Sequence, residues 1–278
     1  MNYAEWRKTF EAEVERPAGE IDLARAALLI ATDEYRELDV DAYLGTLDRM
    51  ADALRQQLPS GGPAADCVQM LVAFLAGEVG LTGNREDYYD PRNSYLNDVI
   101  DRRTGLPITL SVVYLAVGSR LGLPLFGVGL PGHFIVKYED NEQQILIDPF
   151  NNGAILDESG VEARVRDTFD SEARFDLAWL GSVDSRYILT RMLNNLKAGF
   201  VEKSNLARAL KVVDKLLILN PRSGEDIRDM GLLSFQLGAF RTAANYLEQY
   251  VLSHPDAEDA NQVRIYLKTA LMMVEKTN

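Results

Sequence analysis

The feature that most constrains this chain is a set of residues that returns after 34 positions in its last third. Leu206, Ala209, Val213 and Pro221 are answered by Phe240, Ala243, Leu247 and Pro255, each 34 residues further on. A period of that length holds one pair of helices, which cannot bury its apolar face alone and must stack on a neighbour. Small residues such as Gly231, Gly238 and Ala243 allow paired helices to approach closely, and a proline ends the second helix of each pair. The pattern predicts an all-helical stack closed by a helix over 263–272.

Those small, aromatic and proline positions are those of the tetratricopeptide repeat (TPR), so residues 183–278 are read as a TPR-like domain. Residues 1–182 follow another rhythm. Apolar residues at helical spacing predict helices over 23–31, 39–58, 64–79 and 94–101, with a stop at 59–63. Pro107 then opens an apolar helix over 108–121 that Gly122 ends. Residues 125–130 read as a strand, and a hairpin follows. The fold class expected is α+β: a helical N-terminal region and a core with an antiparallel hairpin, followed by the all-α stack.

The hairpin carries the chemistry. Its arms, 131–138 and 143–150, are rich in β-branched and aromatic residues around the polar centre Glu139-Asp140-Asn141-Glu142. A two-residue Asp140-Asn141 loop would put Ile135 opposite Leu146 and His133 opposite Asp148. Directly paired residues share a face with Cβ atoms about 4.5–5.5 Å apart, so the imidazole would reach the carboxylate. Such a pair orients a general base and raises the question of a nucleophile.

Composition narrows the functions open to the chain. With 47% hydrophobic and 26% charged residues it has the content of an ordinary globular protein. A net charge of −13 argues against nucleic acid, whose phosphates call for a basic surface. No apolar run approaches the roughly 20 residues that span a bilayer, and the N-terminus lacks the apolar core of a signal peptide. The one cysteine fits a reducing compartment, so a cytoplasmic location is expected. Two distant histidines and one cysteine do not make a zinc site, and Glu86-Asp87 with Asp90 lacks the calcium-loop pattern. Gly127, Gly129 and Gly132 are not followed by the helix that a phosphate loop requires, so neither cofactor nor metal is expected.

Several separate segments resemble one family. They are Asn93-Ser94-Tyr95-Leu96-Asn97, Arg103-Thr104-Gly105-Leu106-Pro107-Ile108-Thr109-Leu110-Ser111, Pro131-Gly132-His133-Phe134, Ile147-Asp148-Pro149-Phe150 and Arg191-Met192-Leu193-Asn194-Asn195-Leu196-Lys197. Together they are similar to the SirB-type proteins of bacteria, a transglutaminase-like domain followed by TPR repeats, described as regulators of sirC expression. The resemblance implies a papain-like core, with a cysteine at the start of the core helix, a histidine on one strand and an aspartate on the next. Counting back from Gly122-Leu123-Pro124 lands near Pro107, Ile108 and Thr109, and no cysteine is there. Cys67 falls on the apolar face of an upstream helix and reads as structural.

Two readings of function follow. In the first, the chain is a non-catalytic, degenerate transglutaminase-like scaffold that binds a protein or peptide. Asn93, Asn97, Pro107, Gly132, Phe134 and Phe150 would then line a cleft around a vestigial His133 and Asp148. In the second, it is an acyl-transfer or amide-hydrolysing enzyme with Thr109 or Ser111 as nucleophile, His133 as base and Asp148 as orienter. His254, before Pro255 at a helix end, reads as structural.

Overall fold

One helix, Pro107–Arg120, is buried at every position from Pro107 to Gly118. A helix apolar on all sides belongs inside a core, and the N-terminal elements are arranged around it. The computed structural model describes residues 3–59, 63–168 and 176–277. It forms two compact units, Met1–Met192 and Leu193–Asn278. Of the stop expected at 59–63, residues 60–62 lie outside the described residues.

The helices of the first unit are α1 (Tyr3–Val14), α2 (Leu23–Ile30), α3 (Val40–Gln57), α4 (Ala64–Val72), α5 (Leu96–Arg102), α6 (Pro107–Arg120), α7 (Glu158–Thr168) and the start of α8 (Ser185–Glu202). The helix expected over 64–79 is α4 followed by a π-helical stretch, Ala73–Glu78. Asp22 and Asp39 accept from Arg25 N and Ala42 N, capping α2 and α3. Pro107 opens α6, where its missing N–H costs nothing.

The strands are β1 (Thr82–Gly83), β2 (Thr104–Gly105), β3 (Leu125–Leu130), β4 (His133–Glu139), β5 (Gln144–Asp148), β6 (Ala154–Leu156) and β7 (Ser182–Val183). β1 and β2 pair in parallel, and the other five form an antiparallel sheet in the order β6-β5-β4-β3-β7. Side chains alternate across β4. Ile135 joins Val128, Leu130 and Leu146 in a cluster closed by Val161 and Val165 of α7. Phe134, Val136 and Tyr138 are buried on the other face, which also carries Leu125, seated against Gly118 of α6.

The second unit holds the rest of α8 and α9 (Leu206–Leu219), α10 (Gly224–Gln236), α11 (Phe240–Ser253) and α12 (Ala260–Thr277). Pro221 and Pro255 each follow shortly after the end of α9 and α11, as the repeat predicts. Gly231 lets α10 meet α11, because a Cβ there would come within 2.6 Å of Leu247. Ile227, Ala243, Leu247 and Tyr250 form the core that Val263 of the closing helix α12 joins. Lys197 sits among Glu225, Asp226 and Asp229, with its shortest contact 2.8 Å to Asp229.

Candidate functional site

His133 opens β4 directly after the turn Pro131-Gly132, where the exposed Gly132 adopts φ +65°, a conformation that favours glycine. The imidazole is 7% exposed and its Nε2 lies 3.0 Å from Asp148 Oδ1. The pair meets, but by a different register from the one expected. Glu139 pairs with Gln144 and Lys137 with Leu146, so the hairpin is shifted by two residues. The cause is Asp140, whose side chain accepts from both Glu142 N and Gln143 N and builds a four-residue turn. A shift of two preserves the face, and His133 becomes the diagonal neighbour of Asp148, about 7–8 Å away between Cα atoms and within reach of an imidazole.

Asp148 is fully buried and accepts four hydrogen bonds. They come from His133 Nε2 at 3.0 Å, Asn151 N at 3.3 Å, Asn151 Nδ2 at 2.5 Å and Arg164 Nε at 2.9 Å. Burial pushes this carboxyl up, yet the bonds from His133, Asn151 and Arg164 outweigh it and hold the group below the ordinary carboxylate value. Arg164 comes from α7, on the same side of that helix as Val161 and Val165, so the charge of Asp148 is shared with a guanidinium. A carboxylate so paired has less negative potential to offer an imidazolium.

Aromatic rings cover the pair. Phe150 meets His133 edge-on at 6.1 Å, and Tyr88 meets Phe150 at 6.1 Å. Gly83 makes room for that ring, since a Cβ there would lie 2.5 Å from Phe150. Arg85 stands over Phe150 at 5.3 Å, and Arg191 stands over Phe134 at 5.6 Å while donating to the His133 carbonyl at 2.7 Å. Asn93 ties this wall to α6. Its Nδ2 donates to Asp87 O at 2.7 Å, and its carbonyl accepts from Thr109 Oγ1 at 2.6 Å.

The other predicted residues are placed as follows. Thr109 and Ser111 are fully buried, and Ser111 Oγ donates to Pro107 O at 2.8 Å. Both hydroxyl protons are thus spent on backbone carbonyls. Asn93, Asn97, Pro107, Phe134 and Phe150 are all buried. Asn97 faces a separate basin, with Tyr35, Asp98 and Asp101. Cys67 is half-buried, with Tyr138 in its electrostatic neighbourhood. Among the described residues Cys67 makes no hydrogen bond or ion pair with His133 or Asp148. A cavity of about 680 Å³ is bordered by Ile21, Asp48, Leu115, Phe126 and Ile188 and by none of the predicted residues. Among the described residues no three His, Cys, Asp or Glu side chains group as a metal site.

Sequence reasoning missed Arg164, Asn151, Arg191, Arg85 and Tyr88. α7 is short and highly charged, and only Val161 and Val165, four apart, signal the face that brings Arg164 to the sheet. Nothing local marks Arg191 or the loop residues 82–92 as neighbours of His133.

Comparison with known proteins shows what the chain is similar to. Residues 41–194 match the transglutaminase-like superfamily, and residues 196–268 match the tetratricopeptide repeat. A UPF0162 protein of Xylella fastidiosa strain Temecula1 is 37% identical over 250 residues, covering 89% of each chain. Protein SirB1 of Salmonella typhimurium is 28% identical, over 80% of this chain and 83% of its own. The UPF0162 protein YchA of Escherichia coli K12 is 28% identical, over 78% of this chain and 81% of its own. No described helix is long and apolar enough to cross a membrane.

Proposed function

This chain belongs to the transglutaminase-like superfamily and, within it, to the family of SirB1 and the UPF0162 proteins, and from that premise we propose that it is a non-catalytic, protein-binding regulatory scaffold. One observation carries the reading. The His133–Asp148 pair has a carboxylate already matched by Arg164, while the hydroxyls at the start of α6 donate to backbone carbonyls. A base needs a nucleophile within hydrogen-bond reach of its free nitrogen, and both candidate protons point elsewhere. The pair then acts as a structural node, and the function lies with surfaces. A TPR-like stack is a form commonly used for protein contacts, and a net charge of −13 favours protein partners over nucleic acid.

The test is turnover. The full chain and His133→Ala, both verified as folded by circular dichroism, are incubated with glutamine peptides plus an amine donor, and with activated ester and amide substrates. The expected result is no release above the uncatalysed rate for either. Turnover by the wild type that disappears in His133→Ala would overturn the reading.

A second reading has one observation in its favour. With Nε2 engaged by Asp148, Nδ1 of His133 makes no hydrogen bond among the described residues and is open to accept a proton. An acyl-transfer or amide-hydrolysing enzyme using Thr109 or Ser111 would exploit it. Covalent labelling of either hydroxyl by a fluorophosphonate, lost in His133→Ala, would establish this alternative.

A further inference from the structure

The closing helix α12 holds apolar side chains out in water. At 3.6 residues per turn, Arg264, Ile265, Leu271, Met272 and Glu275 lie within about 60° of Lys268 around the helix axis. Val263 and Ala270 are buried on the opposite side, in the core of the second unit. Ile265 is 64%, Leu271 49% and Met272 44% exposed. A helix that closes a stack ordinarily turns a polar face outward, so this stripe marks an interaction surface. The 34-residue period gives its shape. Ile227, Met230, Gly231 and Ser234 of α10 return as Asn261, Arg264, Ile265 and Lys268 of α12. The first set is buried where α11 packs on α10, with Gly231 against Leu247, and the second set is exposed. α12 thus presents the stripe on which the second helix of a pair lies, and among the described residues no helix covers it. Its charge is opposite to that of the chain. Arg264, Lys268 and Lys276 share α12 with one carboxylate, Glu275, while the net charge of the chain is −13. Among the described residues none of these four forms an ion pair, and Arg264 donates to neutral oxygens, Asn261 Oδ1 at 2.8 Å and Pro255 O at 2.9 Å.

We propose that the outer face of α12 docks an acidic, amphipathic helix of a protein partner. A helix fits because side-chain ridges of one helix enter the grooves of another, and α11 packs in that way on the matching stripe of α10. Apolar side chains of the partner would cover Ile265, Leu271 and Met272. Carboxylates on its flanks would meet Arg264, Lys268 and Lys276, which gives the complementary potential that selects a partner. A second copy of this chain is the poorer occupant, since it brings cations to cations and one strongly acidic molecule to another. This rests on the protein-binding reading and gives it the chemistry of one partner. The two fail separately, because turnover that depends on His133 would overturn that reading without touching α12.

The experiment is a fluorescence anisotropy titration with the full chain. The probe is a labelled, alanine-rich helical peptide of about 18 residues, with leucines along one face and glutamates on its flanks. In about 150 mM salt the Debye length is about 8 Å, so the charges nearest the peptide decide the outcome. Saturable binding is expected. It should weaken about tenfold in Arg264→Glu/Lys268→Glu and about tenfold in Ile265→Ser/Met272→Ser. Arg49→Glu/Arg103→Glu, which reverses two exposed cations of the first unit, should leave it unchanged. A peptide with lysines in place of the glutamates, and one of the same composition with its leucines scattered, should each bind at least tenfold more weakly. Circular dichroism verifies each variant, and Lys268→Glu and Ile265→Ser alone carry the test if a double variant fails to fold. Absence of saturable binding, equal loss in the control variant, or equal binding of the lysine or scattered peptide overturns the proposal. A concentration-dependent dimer of the full chain in sedimentation, lost in Ile265→Ser/Met272→Ser, overturns it in favour of a second copy.

Discussion

Asp148 governs the pH response of the first unit. Its folded pKa lies below the ordinary 3.8, so the unfolded chain binds the proton more readily. Stability from this group is therefore complete above the unfolded value and is lost as pH falls through the folded one. Thermal midpoints of the wild type should drop on acidification below about pH 4, whereas Asp148→Asn should lower the midpoint at neutral pH and flatten that acid limb. An acid limb unchanged in Asp148→Asn would assign the effect to other carboxylates. Arg164→Met tests the same node from the cation side. It leaves a buried carboxylate short of one partner and should cost about 2 kcal/mol, less than a wholly buried pair because Arg164 is 30% exposed. Urea unfolding followed by tryptophan fluorescence measures it.

At the scale of elements, close approach is what single residues enforce. Gly231→Val drives a side chain into Leu247 and should destabilise the second unit by about 1–3 kcal/mol, read from the helical signal in a thermal scan. Gly83→Ala should push Phe150 off His133, and the rate of His133 modification by diethyl pyrocarbonate, resolved by peptide mass mapping, should rise severalfold. An unchanged rate would mean that Phe150 does not shield the ring. The same scale shows what the chain reveals before folding. The helical stack is legible because each repeat packs on its sequence neighbour, so Ala243, Gly231 and Pro255 signal locally. α6 is legible from Pro107 and its apolar run. The hairpin is legible as two strands, but its register was decided by Asp140, an acceptor for two backbone N–H groups that strand patterning ignores. β6, β7 and the pair β1–β2 are too short for any period to register. The partners of the site come from residues distant in sequence, Arg164 on α7 and Arg191 on α8, and no local pattern brings them to Asp148 and His133.

At the scale of the molecule, charge sets the working conditions. A net charge of −13 makes the folded state repel itself, and salt relieves that repulsion within a Debye length of about 8–10 Å. Raising salt from about 20 to about 300 mM should therefore raise the thermal midpoint by a few degrees. A midpoint that falls instead would mean that favourable ion pairs, such as those holding Lys197 and Arg228, outweigh the repulsion. The four hydrogen bonds on Asp148 have a consequence for heredity as well as for folding. A carboxylate that joins a strand, a turn and a helix cannot be exchanged alone without leaving three residues unmatched, so selection for a folded chain is enough to retain it, whatever chemistry the site performs. In lineages built on this architecture, a histidine–aspartate dyad can persist for foldability alone, so its presence in a genome is not by itself an enzyme signature.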